Sequence, residues 1–425
     1  MRILFVASGT SLHTVRWLNQ LSGEGWDLHL FPVEPFPLQP KLRNVTLHHP
    51  VFRRRPFDEQ DLQRMDIPVD QPAGGSRRPS AFRRRFHASV RQRGLPWPFR
   101  SGAEKVEGAL AAVWPSRFSR AVRLARTIDQ LRPDVIHSHE LQTAGYLTLA
   151  ARSRVRMPFP LWMATNWGCD LHLFGRLKAH ETKLREVLRA CDLYGAECVR
   201  DVELARSFGF TGKALPVMSN AGGIEIERVQ SLRQPGPSSA RRLIVLKGYQ
   251  DWHGRALVAL RAIELAADAL DGYRVAVFLA SRPVRMAAEL MSGRTNIPVE
   301  VVPWSEHDEI LRLHGRARIS IGSSISDGIP TSLAEAMAMG SFPIQSDTSC
   351  ANEWLTDGTT GLIVPPEDPQ ALSQAIRLAA ADDDLVDRAA ILNLETARER
   401  LEATRLASQA KEMYVRAVNA LRPGI

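Results

Sequence analysis

Asp327 and Glu335 stand eight positions apart in RISIGSSISDGIPTSLAEAMAMGSFPIQSD, residues 318–347, and what lies around them decides what two acids could do there. An apolar run ending at Gly322 reads as a buried strand. A loop rich in Ser and Gly follows it, and Thr331 or Ser332 can cap the helix that comes next. The N–H groups and positive dipole end of such a helix hold an anion, a diphosphate included, without a metal. Glu335 falls three or four residues into the helix, within reach of a sugar or ribose diol, because a carboxylate accepts from two hydroxyls at once. The other reading of Glu335 is a capping-box partner of Ser332. Asp327, on the loop, is placed to accept from the hydroxyls of a second sugar.

The other candidates share one kind of position, directly after an apolar run. Gly9 lies in ASGTS, in a first strand-to-helix loop. His137 and His139 close PDVIHSH and share a strand face, so they read either as a metal pair or, for His137, as a satisfied core histidine. No further His or Asp cluster joins them in the sequence. Asn166 and Asp170 belong to NWGCD, after PLWMAT. Lys247 and Arg255, in LKGYQDWHGRALVAL, suit a phosphate by charge and geometry, with His253 as an assistant. Alternatively Lys247 snorkels at a strand end and Arg255 caps its own helix. The Asp-x-Asp spacing in ADDDLVD, residues 381–387, lies between helices with no strand before it, so no divalent metal is expected.

Strands that present residues in this way must alternate with helices. RILFVAS, WDLHLFPV, PDVIHSH, PLWMATN, CDLYGAE and ALPVMSN read as strands of a first doubly wound domain. In SLHTVRWLNQLSGEG, Leu12, Val15, Leu18 and Leu21 predict one helical face, with Gly25 ending the turn. RQPGPSSARR, residues 233–242, reads as a linker. RLIVLKG, YRVAVFLA, PVEVVPW, RISIGSS, SFPIQSD and GLIVP then give a second alternating series. The expected fold is α/β, with two Rossmann-like doubly wound domains facing a cleft. The first covers 1–232 with a basic insertion at about 51–118, the second covers 243–400, and a C-terminal helix over 401–425 crosses back to the first. Open parallel sheets bind ligands outside the carboxyl ends of their strands.

Composition narrows the function classes. The chain has 425 residues, 44% hydrophobic and 24% charged, as an ordinary globular protein has. Four cysteines without a CxxC pair suit a reducing compartment. MRILFVASGT opens straight into a strand pattern rather than a signal peptide, and no run approaches a membrane span, so a cytoplasmic protein is expected, peripheral at most on the inner face of a membrane. The net charge is +9, yet Val51–Arg126 alone holds sixteen Arg and one Lys against seven acids, a net of +10. That segment interleaves Arg83, Arg84 and Arg85 with Phe82, Phe86, Trp97 and Phe99, so it reads as a solvated loop or as a contact for anionic headgroups. Nucleic acid is not the expected partner, because no helix-turn-helix, zinc-finger or RNA-binding signature accompanies the charge.

DGIPTSLAEAMAMGSFPIQSD, followed by EWLTDGTTGLIVPPEDP, resembles the nucleotide-sugar site of retaining glycosyltransferases with the GT-B fold, specifically glycosyltransferase family 4 (glycosyl transferases group 1). The resemblance implies that Glu335 holds the nucleotide ribose and that Asp327, where the family usually has Glu, holds the donor sugar. Gly328, Ile329, Pro330, Thr331 and Ser332 would then line the nucleotide-sugar site, with Gly9 in the first glycine turn. His139 matches the family's histidine near the reacting carbon. Asn166 and Asp170 match a turn on the donor or acceptor side, and Lys247 and Arg255 stand nearest the family's diphosphate cations.

The activity implied is transfer of a sugar from a UDP- or GDP-sugar to a carbohydrate or lipid-linked acceptor, with retention, without a metal, and in polysaccharide or glycolipid assembly. Front-side attack and domain closure over the donor complete that expectation. The competing readings are a nucleotide-sugar 2-epimerase and a binding protein without turnover.

Overall fold

The computed structural model describes residues 1–33, 39, 41–48, 90–92, 113–114 and 119–421. The arginine-rich segment expected at about 51–118, with Arg83, Arg84 and Arg85, lies almost wholly outside them. Among the described residues the chain forms two units, one from everything up to Gly222 together with Ala407 onward, the other from Gly223–Leu406.

The first unit is an all-parallel sheet of β1 (Arg2–Ala7), β2 (Asp27–Pro32), β3 (Val45–Leu47), β4 (Val90–Gln92), β5 (Val135–His139), β6 (Leu161–Thr165), β7 (Leu193–Gly195) and β8 (Lys213–Ala214). Their order is β4-β3-β2-β1-β5-β6-β7-β8. Ile3–Ala7 are 0% exposed, which is why this run is apolar without alternation: helices cover both faces of a parallel sheet. Two short strands, β3 and β4, have no counterpart among the sequence expectations. ALPVMSN pairs as a strand only at its start, since Pro216 has no N–H to continue the ladder.

Helix α1 (Leu12–Gln20) is capped by Ser11, whose Oγ accepts the His13 N–H at 3.2 Å. Its inward face carries Thr14, Val15, Trp17 and Leu18, whereas Leu12, expected on that face, is 42% exposed. Trp17 sets the orientation: its indole N–H donates to Tyr414 Oη at 2.9 Å. Tyr414 also meets His137 Nδ1 at 2.5 Å, and His137 Nε2 meets Thr165 Oγ1 at 2.5 Å. The last helix, Ala403–Leu421, thus contributes a buried residue to the first sheet's core.

The second unit orders β9 (Leu243–Lys247), β10 (Arg274–Phe278), β11 (Val299–Val301), β12 (Ile319–Gly322), β13 (Phe342–Ser346) and β14 (Leu362–Val364) as β11-β10-β9-β12-β13-β14. This is the 3-2-1-4-5-6 order of a dinucleotide-type Rossmann sheet. Residues 233–242, expected as a linker, belong to this unit instead. Ser238 Oγ donates to Gly340 O at 2.5 Å, and the buried Arg241 guanidinium donates to Ala317 O at 3.2 Å. The boundary falls at Gly222–Gly223. A Cβ at Gly223 would lie 2.3 Å from Ala403 Cα, so this position admits only glycine.

Candidate functional site

In the second unit the strand order reverses between β9, closed by Lys247, and β12, closed by Gly322. A pocket opens there, lined by Lys247, Tyr249, His253, Asp327, Ser332 and Gln345 among others. Lys247 Nζ is 4.0 Å from Asp327 Oδ2 and 5.8 Å from the Tyr249 ring centre. His253 packs against Tyr249 and Trp252, with ring centres at 4.8 and 4.1 Å. Asp251 orients it, 3.2 Å from His253 Nδ1, while accepting the His253 and Gly254 N–H groups. Burial pushes the Asp251 carboxyl up, but the His253 ring and those N–H groups outweigh it and hold the group down at about 2.

The helix beyond the loop spans Thr331–Met339 and has Pro330 in the cap position with no capping side chain. Neither Thr331 nor Ser332 caps it, because both are already helical. Leu333 and Ala334 return their N–H groups to Pro330 O, at 2.9 and 3.2 Å. The first-turn N–H groups of Thr331 and Ser332 are left without a capping side chain, which is the arrangement that receives an anion. Ser332 Oγ and Gln345 Oε1, both buried and both on pocket-lining residues, have no hydrogen-bond partner among the described residues. Gly322 lies opposite Gln345 in the sheet, and a Cβ there would be 2.5 Å from Gln345 Oε1.

Gly328 O accepts the Cys350 N–H at 3.0 Å and Ile329 is buried, so the loop is anchored into the core. Glu335 is 5% exposed and does not form a capping box. Its Oε1 is 2.6 Å from His307 Nε2, and its Oε2 is 3.8 Å from His314 Nε2. Arg255 stands outside the pocket lining. Its Nε donates to Glu367 Oε1 at 2.9 Å and its Nη1 to Gly254 O, and it makes no side-chain cap. The acidic run at 381–387 is structural: Asp382 caps the following helix through the Leu385 N–H, and Asp383 pairs with the buried Arg318 at 2.6 Å.

The first unit reverses its strand order between β1 and β5. Gly9 lies in the turn after β1, where its carbonyl accepts the Gln39 N–H at 2.9 Å. His139 closes β5 at 0% exposure and packs against Phe5, Trp17, His137 and Trp167. Both of its ring nitrogens lack a hydrogen-bond partner among the described residues. Burial first, and then the nearby His13, push it down to about 3, so the ring is neutral. His137 differs: both of its nitrogens are engaged by Tyr414 and Thr165, and it is a core histidine rather than half of a metal pair.

Asn166 and Asp170 are also buried. Asn166 donates to Asp201 at 2.7 Å and accepts from Gly168 N, while Asp170 Oδ2 accepts the Leu141 and Trp167 N–H groups at 3.0 and 3.1 Å. They therefore shape the 166–170 turn and the start of the helix after β5. Burial, with Glu140 beside it, raises Asp170 to about 8. Glu140 is held at φ 80, a strained value for a residue with a side chain, and accepts from Thr143 N at 3.0 Å.

Sequence reasoning missed Gln345, His307 and His314. Gln345 sits inside a strand, and only the sheet register reveals it. The histidines carried a signal, since positions 307 and 314 are two helical turns apart and share a face.

Residues 288–392 match the family Glycosyl transferases group 1, and residues 112–199 match Glycosyl transferase 4-like. No curated protein matches the chain. Among solved structures it is similar to a sucrose-phosphate synthase from Thermosynechococcus elongatus, at TM-score 0.66 and 15% identity, covering 99% of this chain and 100% of that one. It is also similar to Anabaena Alr3699/HepE, solved in complex with UDP and glucose, at TM-score 0.63 and 14% identity over 98% and 100% of the two chains. A glycosyltransferase from Rickettsia africae aligns at TM-score 0.63 and 13% identity over 100% and 99%. At these identities the likeness is one of fold, the GT-B arrangement of two Rossmann-like sheets.

Three buried histidines make stability depend on pH. Burial lowers His137, His139 and His314 below the ordinary 6.5 in the folded chain. The unfolded chain therefore binds more protons just below that value, and stability falls as pH drops from about 7 to about 5. In urea unfolding across this window, His139→Gln flattens the slope. A slope equal to wild type contradicts a neutral buried His139.

Proposed function

We propose that this GT-B chain, with its segments of the glycosyl transferase 4-like and group 1 families, transfers a glycosyl unit from a nucleoside-diphosphate sugar to an acceptor hydroxyl. One observation carries the reading: the uncapped N-terminus of Thr331–Met339 opens beside Lys247 at the strand-order reversal, with Ser332 Oγ buried in the same pocket and unpartnered among the described residues. Loss of a glycosyl group leaves negative charge on the diphosphate and an electron-poor anomeric carbon. Fixed N–H dipoles and Lys247 stabilise that phosphate charge, and more strongly as it develops. No step needs a divalent metal. Asp327, paired with Lys247, receives donor-sugar hydroxyls, and Glu335 receives the ribose diol. His139, neutral and with both ring nitrogens unpartnered among the described residues, has one donor and one acceptor to offer a sugar hydroxyl, the role that the family resemblance implies for it.

Retention by front-side attack fits this set, with the leaving phosphate taking the acceptor's proton. The donor is a UDP- or GDP-sugar and the acceptor a carbohydrate or lipid-linked hydroxyl, in polysaccharide or glycolipid assembly. A 2-epimerase-like enzyme would instead release a free isomer or UDP without an acceptor, and a binding protein would release nothing.

Calorimetric titration with UDP and GDP tests the site. One of them binds wild type, and Glu335→Ala weakens it by about tenfold or more, the size of a lost hydrogen bond to a charged group. Absence of binding by both, or equal binding by the variant, overturns the assignment. Product analysis with a donor panel, an acceptor extract and EDTA then separates a metal-independent transferase from the two alternatives.

In this reading the protein is cytoplasmic, and the basic segment is a contact for anionic headgroups at the inner face of a membrane. No described helix is long and apolar enough to cross a membrane. Replacing Arg83, Arg84 and Arg85 with Ala should reduce pelleting with phosphatidylserine liposomes, and unchanged pelleting rejects contact through that cluster.

A further inference from the structure

Glu335 is a buried carboxylate whose orientation is set from the neighbouring helix. His307 is the first residue of His307–Arg316, and its Nε2 lies 2.6 Å from Glu335 Oε1, a charge-assisted hydrogen-bond distance. The acceptor is a carboxylate, so Nε2 carries the proton and donates. The start of that helix is itself tied down at the next residue, where Asp308 accepts from Arg228 at 3.1 Å.

Behind the carboxylate stands His314, two turns further along the same helix and 1% exposed. Its Nε2, 3.8 Å from Glu335 Oε2, has no hydrogen-bond partner among the described residues. Its Nδ1 meets Ser320 Oγ at 2.9 Å, and Ser320 Oγ meets Ser341 Oγ at 2.7 Å. Glu335 is therefore gripped at one oxygen by His307, with the other oxygen backed by a ring that strand β12 fixes. A carboxylate offers about four lone-pair sites, so it can keep His307 and still accept from both hydroxyls of a vicinal diol.

We propose that His307 is a positioning residue for diol recognition: by holding Glu335 Oε1 it presets the carboxylate so that two adjacent hydroxyls of a nucleoside bind without reorganising the site. This rests on the nucleotide-sugar reading of Glu335. His307 is not a catalytic residue here, because it acts through Glu335. Preorganisation of this kind lowers the cost of ordering on binding, and its loss appears only with ligands that use the preset group.

The test is calorimetric titration of UDP, GDP and their 2′,3′-dideoxy analogues into wild type, His307→Ala, His307→Gln and Glu335→Ala. Wild type binds the ribonucleotide more than about tenfold tighter than the dideoxy form, which lacks both hydrogen bonds to the charged group. His307→Ala removes most of that preference and leaves dideoxy affinity unchanged. His307→Gln, whose amide still donates, restores part of it. A merely structural role would lower both affinities together, and that result overturns the proposal. So does a preference that depends on Glu335 but is intact in His307→Ala and His307→Gln, which leaves the nucleotide reading standing. Wild type that binds no nucleotide overturns that reading and this inference with it.

Discussion

A helix that begins without a capping side chain leaves strong donors in need of an acceptor, and in this protein that requirement organises the second unit. Pro330 fixes the backbone entry to Thr331–Met339 yet offers no side-chain oxygen. The loop before it is anchored by the Gly328–Cys350 backbone bond. The sheet order β11-β10-β9-β12-β13-β14 places this helix start at the reversal, between the ends of β9 and β12, where neighbouring crossovers run to opposite faces. Lys247, Asp327, Ser332 and Gln345 then meet around one opening. Most buried polar atoms in proteins are satisfied, so Ser332 Oγ and Gln345 Oε1, unpartnered among the described residues, are two more groups with hydrogen bonds still to make.

The first unit solves a different problem. Two histidines end one strand, and the fold treats them oppositely. His137 is built into a chain from Trp17 through Tyr414 to Thr165, which ties the last helix to the sheet by polar contacts inside an apolar core. His139, two residues on and on the same face, is surrounded by aromatic rings and has no hydrogen bond among the described residues. Leaving a buried ring unsatisfied costs about 1–3 kcal/mol, and such costs gather where a ligand is to be received.

The alternation of apolar runs and helical patterns was enough to read two doubly wound domains, and all six strands of the second sheet match runs visible in the sequence. β3 and β4 escaped because three residues carry too little pattern, and ALPVMSN misled because Pro216 ends a ladder that the apolar pattern would continue. The segment 233–242 looked like a linker by composition. Its Ser238 and Arg241 show that Pro, Gly and Ser can also make a loop pressed into a core. Among the residues singled out after strands, Lys247 and Asp327 line the pocket of the second unit and Arg255 stands outside it, and the partners of these residues were not legible in the sequence. Local spacing suggested Ser332 as the partner of Glu335. The partner is His307, twenty-eight positions earlier, brought in by helix packing that no local pattern encodes. Arg255 likewise suited a phosphate by type, and its Glu367 partner lies 112 positions away.

The central claim is spatial: a nucleoside diphosphate lies with its phosphates on the first turn of Thr331–Met339 and its ribose on Glu335. A crystal structure of the protein with UDP or GDP bound tests this directly. The account predicts a phosphate oxygen within about 3 Å of the Thr331 or Ser332 N–H and both ribose hydroxyls on the Glu335 carboxylate. A nucleotide bound elsewhere on the chain, with that helix start unoccupied, would contradict it.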